Sequence, residues 1–419
     1  MEDVRNMATV SLPFAAGVAG CAALAGGAAS GLRAADTAAA GIAAAAVLSA
    51  ASGLLALLFR RKTGPLPYIF LFFCLGCFCF LSRALLPQAA TPGPAGRLAA
   101  GALSGLRRLI AALPFTHGST HSLVAALLTG DRSGLTAEQT AAFRASGASH
   151  ILALSGLHLG VIYLIVSKLL SIIGNTPFLR RLRSVLIVSF SGFYTLATGA
   201  GPSIVRAFLF ILIRETCSLF PERRTSPVRI LMTALTLQLA FRPEVITSLG
   251  FQLSYLAMTG ITLLYPRLSA WYPSANPSSY SSANPTISPT NLSSACIKSP
   301  AAESSAFSPG NRISTFLSRT AIQSLKTIDT VIRRIWQAAA LAVSCQIFTA
   351  PLAWIRFHSF PKYFIITNLL ALPLTSALMA VSVAAIAFQA LGGCPTPLAD
   401  AVDFLAQSLL FVLDVISSL

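Results

Sequence analysis

The chain is broken into apolar runs of about 20 residues, the length a helix needs to cross the hydrocarbon core of a bilayer. Candidate spans fall near 8–31, 37–59, 66–87, 150–173, 184–200, 203–220, 228–241, 247–266, 337–355, 363–391 and 397–417. Only 10% of the residues are charged and 55% are hydrophobic, against roughly a quarter charged in a soluble domain. The pattern predicts an all-α integral membrane protein, a polytopic bundle of about ten or eleven transmembrane helices in contact with lipid. The first run is long and Ala/Gly-rich, and residues 2–5 carry no net positive side-chain charge. A retained first span is therefore expected rather than a cleaved signal.

Basic clusters orient the spans. Arg60 to Lys62, Arg180 to Arg183, Arg223 to Arg229 and Arg312 to Arg334 each follow an even-numbered run. Lys and Arg collect on the cytoplasmic side, so the N-terminus is expected inside a plasma (cell inner) membrane. The net charge of +17 suits a nucleic-acid partner, but cytoplasmic loops account for much of it, and charge alone is weak evidence for DNA. The expected organisation is N-terminal spans over 1–87, an extracytoplasmic segment over 88–149, core helices over 150–266, a Ser/Pro/Asn-rich disordered cytoplasmic loop over 267–312, and an amphipathic helix with C-terminal spans over 313–419. Within 88–149, a helix near 97–113 puts Leu103, Leu106, Ile110 and Leu113 on one face and Arg97, Ser104 and Arg108 on the other, as an interfacial helix does. In 313–336, Arg312, Arg319, Lys326 and Arg333 recur every seven residues beside an Ile/Leu face. Anionic lipid is the expected contact of that stripe.

Polar residues inside such a chain mark cavities or packing contacts. In residues 126–160, Thr136 is placed to cap a helix that Gly147 ends, and His150, Ser155 and His158 follow at the start of a span. They suit a pore lining; a Ser155–His158 hydrolytic pair lacks a neighbouring carboxylate unless Asp131 folds back. In residues 198–208, Gly199, Gly201 and Pro202 break the chain, Ser203 is placed to cap the next helix, and Arg206 lies in its first turns. Arg206 either snorkels to the outer interface or serves a site, while Arg214 either pairs with Glu215 or reaches the cytoplasm. Gln252 and Ser254 sit within a later span, and Gln346, Pro351, Asn368 and Pro373 interrupt two more. No Walker A motif and no HxHxDH cluster occurs. The eight cysteines carry no metal-ligand spacing and no disulfide framework, and neither cofactor nor catalytic residue is assigned.

Four segments carry a resemblance to the ComEC-type competence protein family. They are ALLTGDRSGL with FRASGASHILALSGLH, TGAGPSIVRA, FRPEVITSLGFQLSYLAMTGI, and QIFTAPLAWIRF with NLLALPL, in that order between residues 120 and 375. The resemblance implies an inner-membrane channel that passes one DNA strand into the cytoplasm during natural transformation. By motif position it points to Asp131, Arg132, Arg144, His150, Ser155, His158, Ser203, Arg206, Gln252, Ser254, Gln346 and Asn368 along a DNA path. Longer members carry an oligonucleotide-binding-type domain and a metallo-β-lactamase-like domain that have no counterpart here. The implied partners are therefore single-stranded DNA, a cytoplasmic helicase-like ATPase, a separate nuclease or DNA-binding protein, and a second copy of the chain. Basic residues at an outer vestibule (Arg97, Arg107, Arg108, Arg132, Arg144, Arg206) would attract phosphates. The competing readings are a transporter for anionic or lipid-linked molecules, an intramembrane hydrolase, and an assembly platform.

Overall fold

The computed structural model of the protein describes residues 2–27, 45–48, 66–85, 94–172, 174, 176–220, 226–272, 310–358 and 362–418. All regular structure among them is helical. The principal helices are α1 (Glu2–Gly27), α2 (Leu66–Leu85), α3 (Pro94–Ala111), α4 (Gly118–Thr129), α5 (Ala137–Ala145), α6 (Ser149–Leu152), α7 (Gly156–Ser171), α8 (Pro177–Ala197), α9 (Pro202–Ser218), α10 (Pro227–Phe241), α11 (Leu249–Leu263), α12 (Tyr265–Ser269), α13 (Gly310–Phe357), α14 (Phe364–Ala390) and α15 (Thr396–Ser417). Most of span 37–59, most of the expected loop 267–312, the basic clusters at 60–62 and 223–224, and the side chains of Arg312, Arg319 and Lys326 lie outside the described residues.

Helix starts follow capping chemistry. Thr136 caps α5 in a reciprocal box with Gln139, Thr176 caps α8 ahead of Pro177, Ser226 caps α10 ahead of Pro227, and Ser248 caps α11. Each hydroxyl takes up a backbone N–H that the helix cannot use itself, and proline needs none at the first position. Gly147 follows α5 with φ 77°, where a side chain would be strained.

Two helical stretches are long and apolar enough to cross a bilayer, Ile328–Phe357 and Phe364–Ala390, and shorter apolar helices cover Thr9–Ala23, Ile69–Arg83, Gly156–Ser171, Pro227–Phe241 and Leu249–Leu263. Large apolar side chains also face outward, Val185, Phe190 and Phe193 on α8 and Phe404 and Phe411 on α15 among them. A soluble monomer rarely leaves so much apolar surface open; lipid is the solvent that suits it. The fold is an all-α membrane bundle.

Two expectations about the later helices fail. The amphipathic stretch 313–336 and the span 337–355 are not separate elements but one helix, α13, of 48 residues. Pro351 and Pro373 do not break their helices. Hydroxyls beside each proline take up nearby carbonyls: Thr349 donates to Cys345 O at 3.0 Å, Thr375 to Ala371 O at 2.7 Å, and Ser376 to Leu372 O at 2.8 Å. None of these is the carbonyl that the proline leaves without a helical donor, Ile347 O or Leu369 O; the bonds flank the prolines within unbroken helices.

The packing divides into three buried clusters. Phe14 and Val18 of α1 join Leu231, Leu239, Phe251 and Tyr255 of α10 and α11. Leu159 and Ile162 of α7 join Ile187, Tyr194, Ile204 and Ile211 of α8 and α9. The largest cluster unites Ile110, Leu113, Leu123, Leu127, Phe143 and Ile151 with α14 and α15. The segment 94–152 is therefore no peripheral flap. Helix α3 keeps the expected faces, with Ile110 buried and Arg97, Ser104 and Arg108 exposed, but its apolar face meets protein.

Glycine lets two helix pairs touch backbone to backbone. A Cβ on Gly17 would strike the Phe73 carbonyl and one on Gly76 the Phe14 carbonyl, at the α1–α2 crossing; one on Gly260 would strike Ser344 O of α13. Small residues at crossings are a common solution where lipid supplies no hydrophobic push. Gly17→Val and Gly260→Val should each cost about 2 kcal/mol through overpacking, whereas Gly20→Val, with open space at its Cβ, should be near neutral. Unfolding in detergent followed by circular dichroism checks this; equal stability of Gly17→Val and Gly20→Val would refute the contact.

Candidate functional site

Arg206 is the point at which the family-like segments meet. It lies in the first turns of α9 and is only 8% exposed. Its Nη1 donates to the main-chain carbonyl of Ser254 on α11. Its Nη2 lies where a Cβ on Gly156 of α7 would come within 2.8 Å, so glycine at that position makes room for the guanidinium. The Phe210 ring centroid lies 6.0 Å from its Cζ, and Tyr255 and Cys345 are within electrostatic reach. Residues from α7, α9, α11 and α13 thus surround one cation. No carboxylate among the described residues pairs with it, and its Nε is buried without a partner. A buried, unpaired guanidinium is costly, and the burial rules out snorkelling.

The neighbours of Arg206 are tied down by their own bonds. Ser155 caps α7, accepting from Leu157 N at 3.2 Å, and its backbone N–H donates to His158 Nδ1 at 3.0 Å. The Ser155 hydroxyl also lies 2.9 Å from that nitrogen. This is a capping box with histidine in the place usually held by Glu or Gln, and it accounts for the Ser–His proximity without hydrolytic chemistry. Because Nδ1 accepts, the proton of the neutral ring sits on Nε2, which is fully buried and has no partner. Ser203 does not cap α9, as its position suggested; Gly201 takes that place, because Pro202 starts the helix. The Ser203 hydroxyl instead donates to Gly250 O at 3.2 Å. Gln252 turns back to Ile246 O at 2.8 Å.

Other predicted residues lie elsewhere. Asp131 accepts from the Ser133 hydroxyl at 2.6 Å and its N–H at 3.1 Å and pairs with Arg107 at 3.4 Å, so it does not fold back onto the imidazole of His158. Arg132 Nε donates to Leu152 O at 3.1 Å. Arg144 and His150 are exposed, and His150 Nδ1 lies 3.2 Å from Gly147 O. Gln346 and Asn368 are half-buried, and neither side-chain amide bonds to another described residue. Glu215 is not paired with Arg214, which is exposed. It accepts instead from Tyr163 at 2.8 Å and Ser184 at 2.7 Å, joining α7, α8 and α9.

Sequence reasoning missed Gln238, which sits between Pro202 O at 3.0 Å and the Tyr255 hydroxyl at 2.9 Å and ties α10 to α9 and α11, the helices of Arg206 and Ser254. The signal was there: Gln238 is the amide in residues 230–241, whose other polar side chains are Thr233 and Thr236. It missed Asp403 as well, a buried carboxylate in the last span.

Two outcomes follow. Arg206→Ala removes the second donor to the Ser254 carbonyl and empties the space between α7, α9 and α11, and should cost about 2 kcal/mol, while Ser254→Ala, which keeps that carbonyl, should be silent; comparable losses in detergent unfolding would overturn the contact. The Ser133 hydroxyl and N–H, then Arg107, hold Asp131 below the usual carboxylate range. Its stabilisation is present above the ordinary carboxylate value of about 4 and fades as pH falls through the lowered folded value. The melting-temperature gap between wild type and Asp131→Asn should therefore shrink on acidification, and a gap constant with pH would exclude this role.

No solved structure matches the chain. ComE operon protein 3 of Bacillus subtilis (strain 168) is 35% identical over 133 residues, 32% of this chain and 17% of that protein. The sequence profile of the family described as Competence protein matches residues 127–301 and 305–419, which include Arg206 and every helix that surrounds it. The chain belongs to the Competence protein family.

Proposed function

We propose that the protein forms the inner-membrane channel through which a single DNA strand enters the cytoplasm during natural transformation. Membership of the Competence protein family supports a role in DNA uptake, and the convergence of three family-like segments at Gly156, Arg206 and Ser254 is the observation that carries the reading. In this reading the bundle crosses the membrane ten or eleven times with its N-terminus in the cytoplasm. It conducts without catalysing a reaction; a cytoplasmic helicase-like ATPase supplies force, and a separate nuclease or DNA-binding protein prepares the strand.

The outer vestibule loses Arg206, which is enclosed by helices. Arg97, Arg107, Arg108, Arg132 and Arg144 remain exposed on the segment 94–152 and are the residues offered to phosphate. Attraction of this kind weakens with salt. The buried node has a different part: Arg206, Ser155 and Gln252 bond within the bundle, so the arrangement suits a closed path that opens by helix movement. Among the described residues no carboxylate pairs with Arg206, which also favours an anion of some kind, and a transporter for anionic small molecules is the second reading.

Transformation frequency of a deletion strain, complemented with variants, tests the proposal. Deletion should abolish transformation while DNA still binds the cell surface. The triple variant Arg97→Gln, Arg108→Gln, Arg144→Gln should fold normally, lower transformation several-fold and flatten its dependence on salt. Transformation undiminished by deletion, in a strain without a second family member, would sink the DNA reading and leave the transporter.

A further inference from the structure

A second polar site lies away from Arg206, where the segment between α3 and α4 meets α15. Asp403 of α15 is 6% exposed. Its Oδ2 accepts from the backbone N–H of Thr116 at 2.7 Å and from the Thr116 hydroxyl at 2.9 Å. Its Oδ1 is buried with no hydrogen-bond donor, and the nearest cationic candidate is His117 Nδ1 at 3.7 Å. Thr116 Oγ1 also lies 2.8 Å from His117 Nδ1, and 57% of the His117 side chain is exposed. One turn further along α15, Gln407 donates to Ser119 at 3.0 Å and Thr120 at 3.4 Å.

The depth of this site follows from helix arithmetic. Asp403 and Gln407 stand roughly 10 and 16 Å along α15 from its first residue. Helix α4 begins beside them and has 12 residues, or roughly 18 Å, against about 30 Å of hydrocarbon. If α15 crosses the bilayer, α4 is a half-helix that starts near mid-depth, and a carboxylate from another helix sits at its positive end. Such half-helices occur where they line a polar cavity, and a cavity is what an exposed histidine at that depth requires.

We propose that His117, Thr116 and Asp403 form a proton-loading site, with the proton as the ligand. The Thr116 hydroxyl donates to Asp403, so the His117 ring must present Nδ1–H to the threonine oxygen. In the imidazolium form, the Nδ1–H bond breaks as a new O–H bond forms on Thr116, and the original threonine proton moves to Asp403 Oδ2. The ion pair becomes a neutral imidazole, protonated on Nε2, and a carboxylic acid. Water on the exposed side of His117 then returns a proton to the ring. A protonated Asp403 accepts less strongly from Thr116 N–H, so loading loosens the hold of α15 on the start of α4. The surrounding charges are few. His121 on α4 is engaged with Leu113 O at 3.1 Å, Glu138 and Arg144 on α5 are exposed, Asp400 and Asp414 on α15 are exposed, and α14 carries no ionisable group.

The proposal is independent of what the protein conducts. Its test is infrared difference spectroscopy between acid and alkaline pH on the full chain in lipid vesicles. One protonated-carboxyl component should be present in wild type and in Glu215→Gln and missing in Asp403→Asn, over the bands of the exposed carboxyls that all three share. Should that variant fail to fold, Asp403→Glu should keep the component and move its frequency. Thr116→Val and His117→Phe should keep the component but slow its appearance after a pH jump several-fold. An unchanged component in Asp403→Asn, no frequency shift in Asp403→Glu, or wild-type rates in both relay variants would overturn the proposal.

Discussion

A single buried guanidinium organises the core of this bundle. Among the described residues no carboxylate neutralises Arg206, and main-chain oxygen, a ring face and the close approach of Gly156 surround it. In a low-dielectric interior each of these counts for more than it would in water. The same arrangement fixes the relative placement of α7, α9 and α11. Shifting any one of them exposes the charge to hydrocarbon or opens it to water, so the three helices are constrained to move together or to admit solvent.

Elsewhere polar side chains do the work that hydrophobic burial cannot do in lipid. Glu215 gathers two hydroxyls from neighbouring helices, Gln238 bridges Pro202 and Tyr255, and Ser11 exchanges bonds with Met232 and Thr236 across α1 and α10. Interhelical bonds of this type are modest individually, but they specify which faces meet. At the crossings of Gly17, Gly76 and Gly260, bare backbone contact serves the same end.

Much of the secondary structure was legible from the apolar runs, because a bilayer punishes unsatisfied backbone and so forces helix wherever a run is long. The cap at Thr136 was readable for a local reason, while the one expected at Ser203 is displaced to Gly201 by Pro202. Tertiary facts were not. Nothing in the run containing Pro373 shows that the helix continues through it. Nothing in the spacing of Ser155 and His158 separates a catalytic pair from a capping box, since both need the same proximity; the bond from the Ser155 backbone N–H to His158 Nδ1 shows the box. Arg206 could be flagged as unusual from its position, but whether it lay inside or at the rim depended on Gly156, distant by 50 positions in the chain.

The continuity of α13 has a mechanical consequence. Its 48 residues extend roughly 70 Å, more than twice the hydrocarbon thickness, so a large part of the rod must stand clear of the bilayer. Tyr272 grips Asp329 at 2.8 Å and Trp336 holds Leu268 O at 3.0 Å, which clamp the end of α12 onto the shaft. Past that clamp the rod enters the bundle and meets Gly260 backbone to backbone at Ser344. A tilt imposed on its far end would be delivered, with the clamp as fulcrum, at the Gly260–Ser344 crossing. The helix has the geometry of a lever arm: a push applied outside the membrane would reach a backbone-to-backbone contact within it.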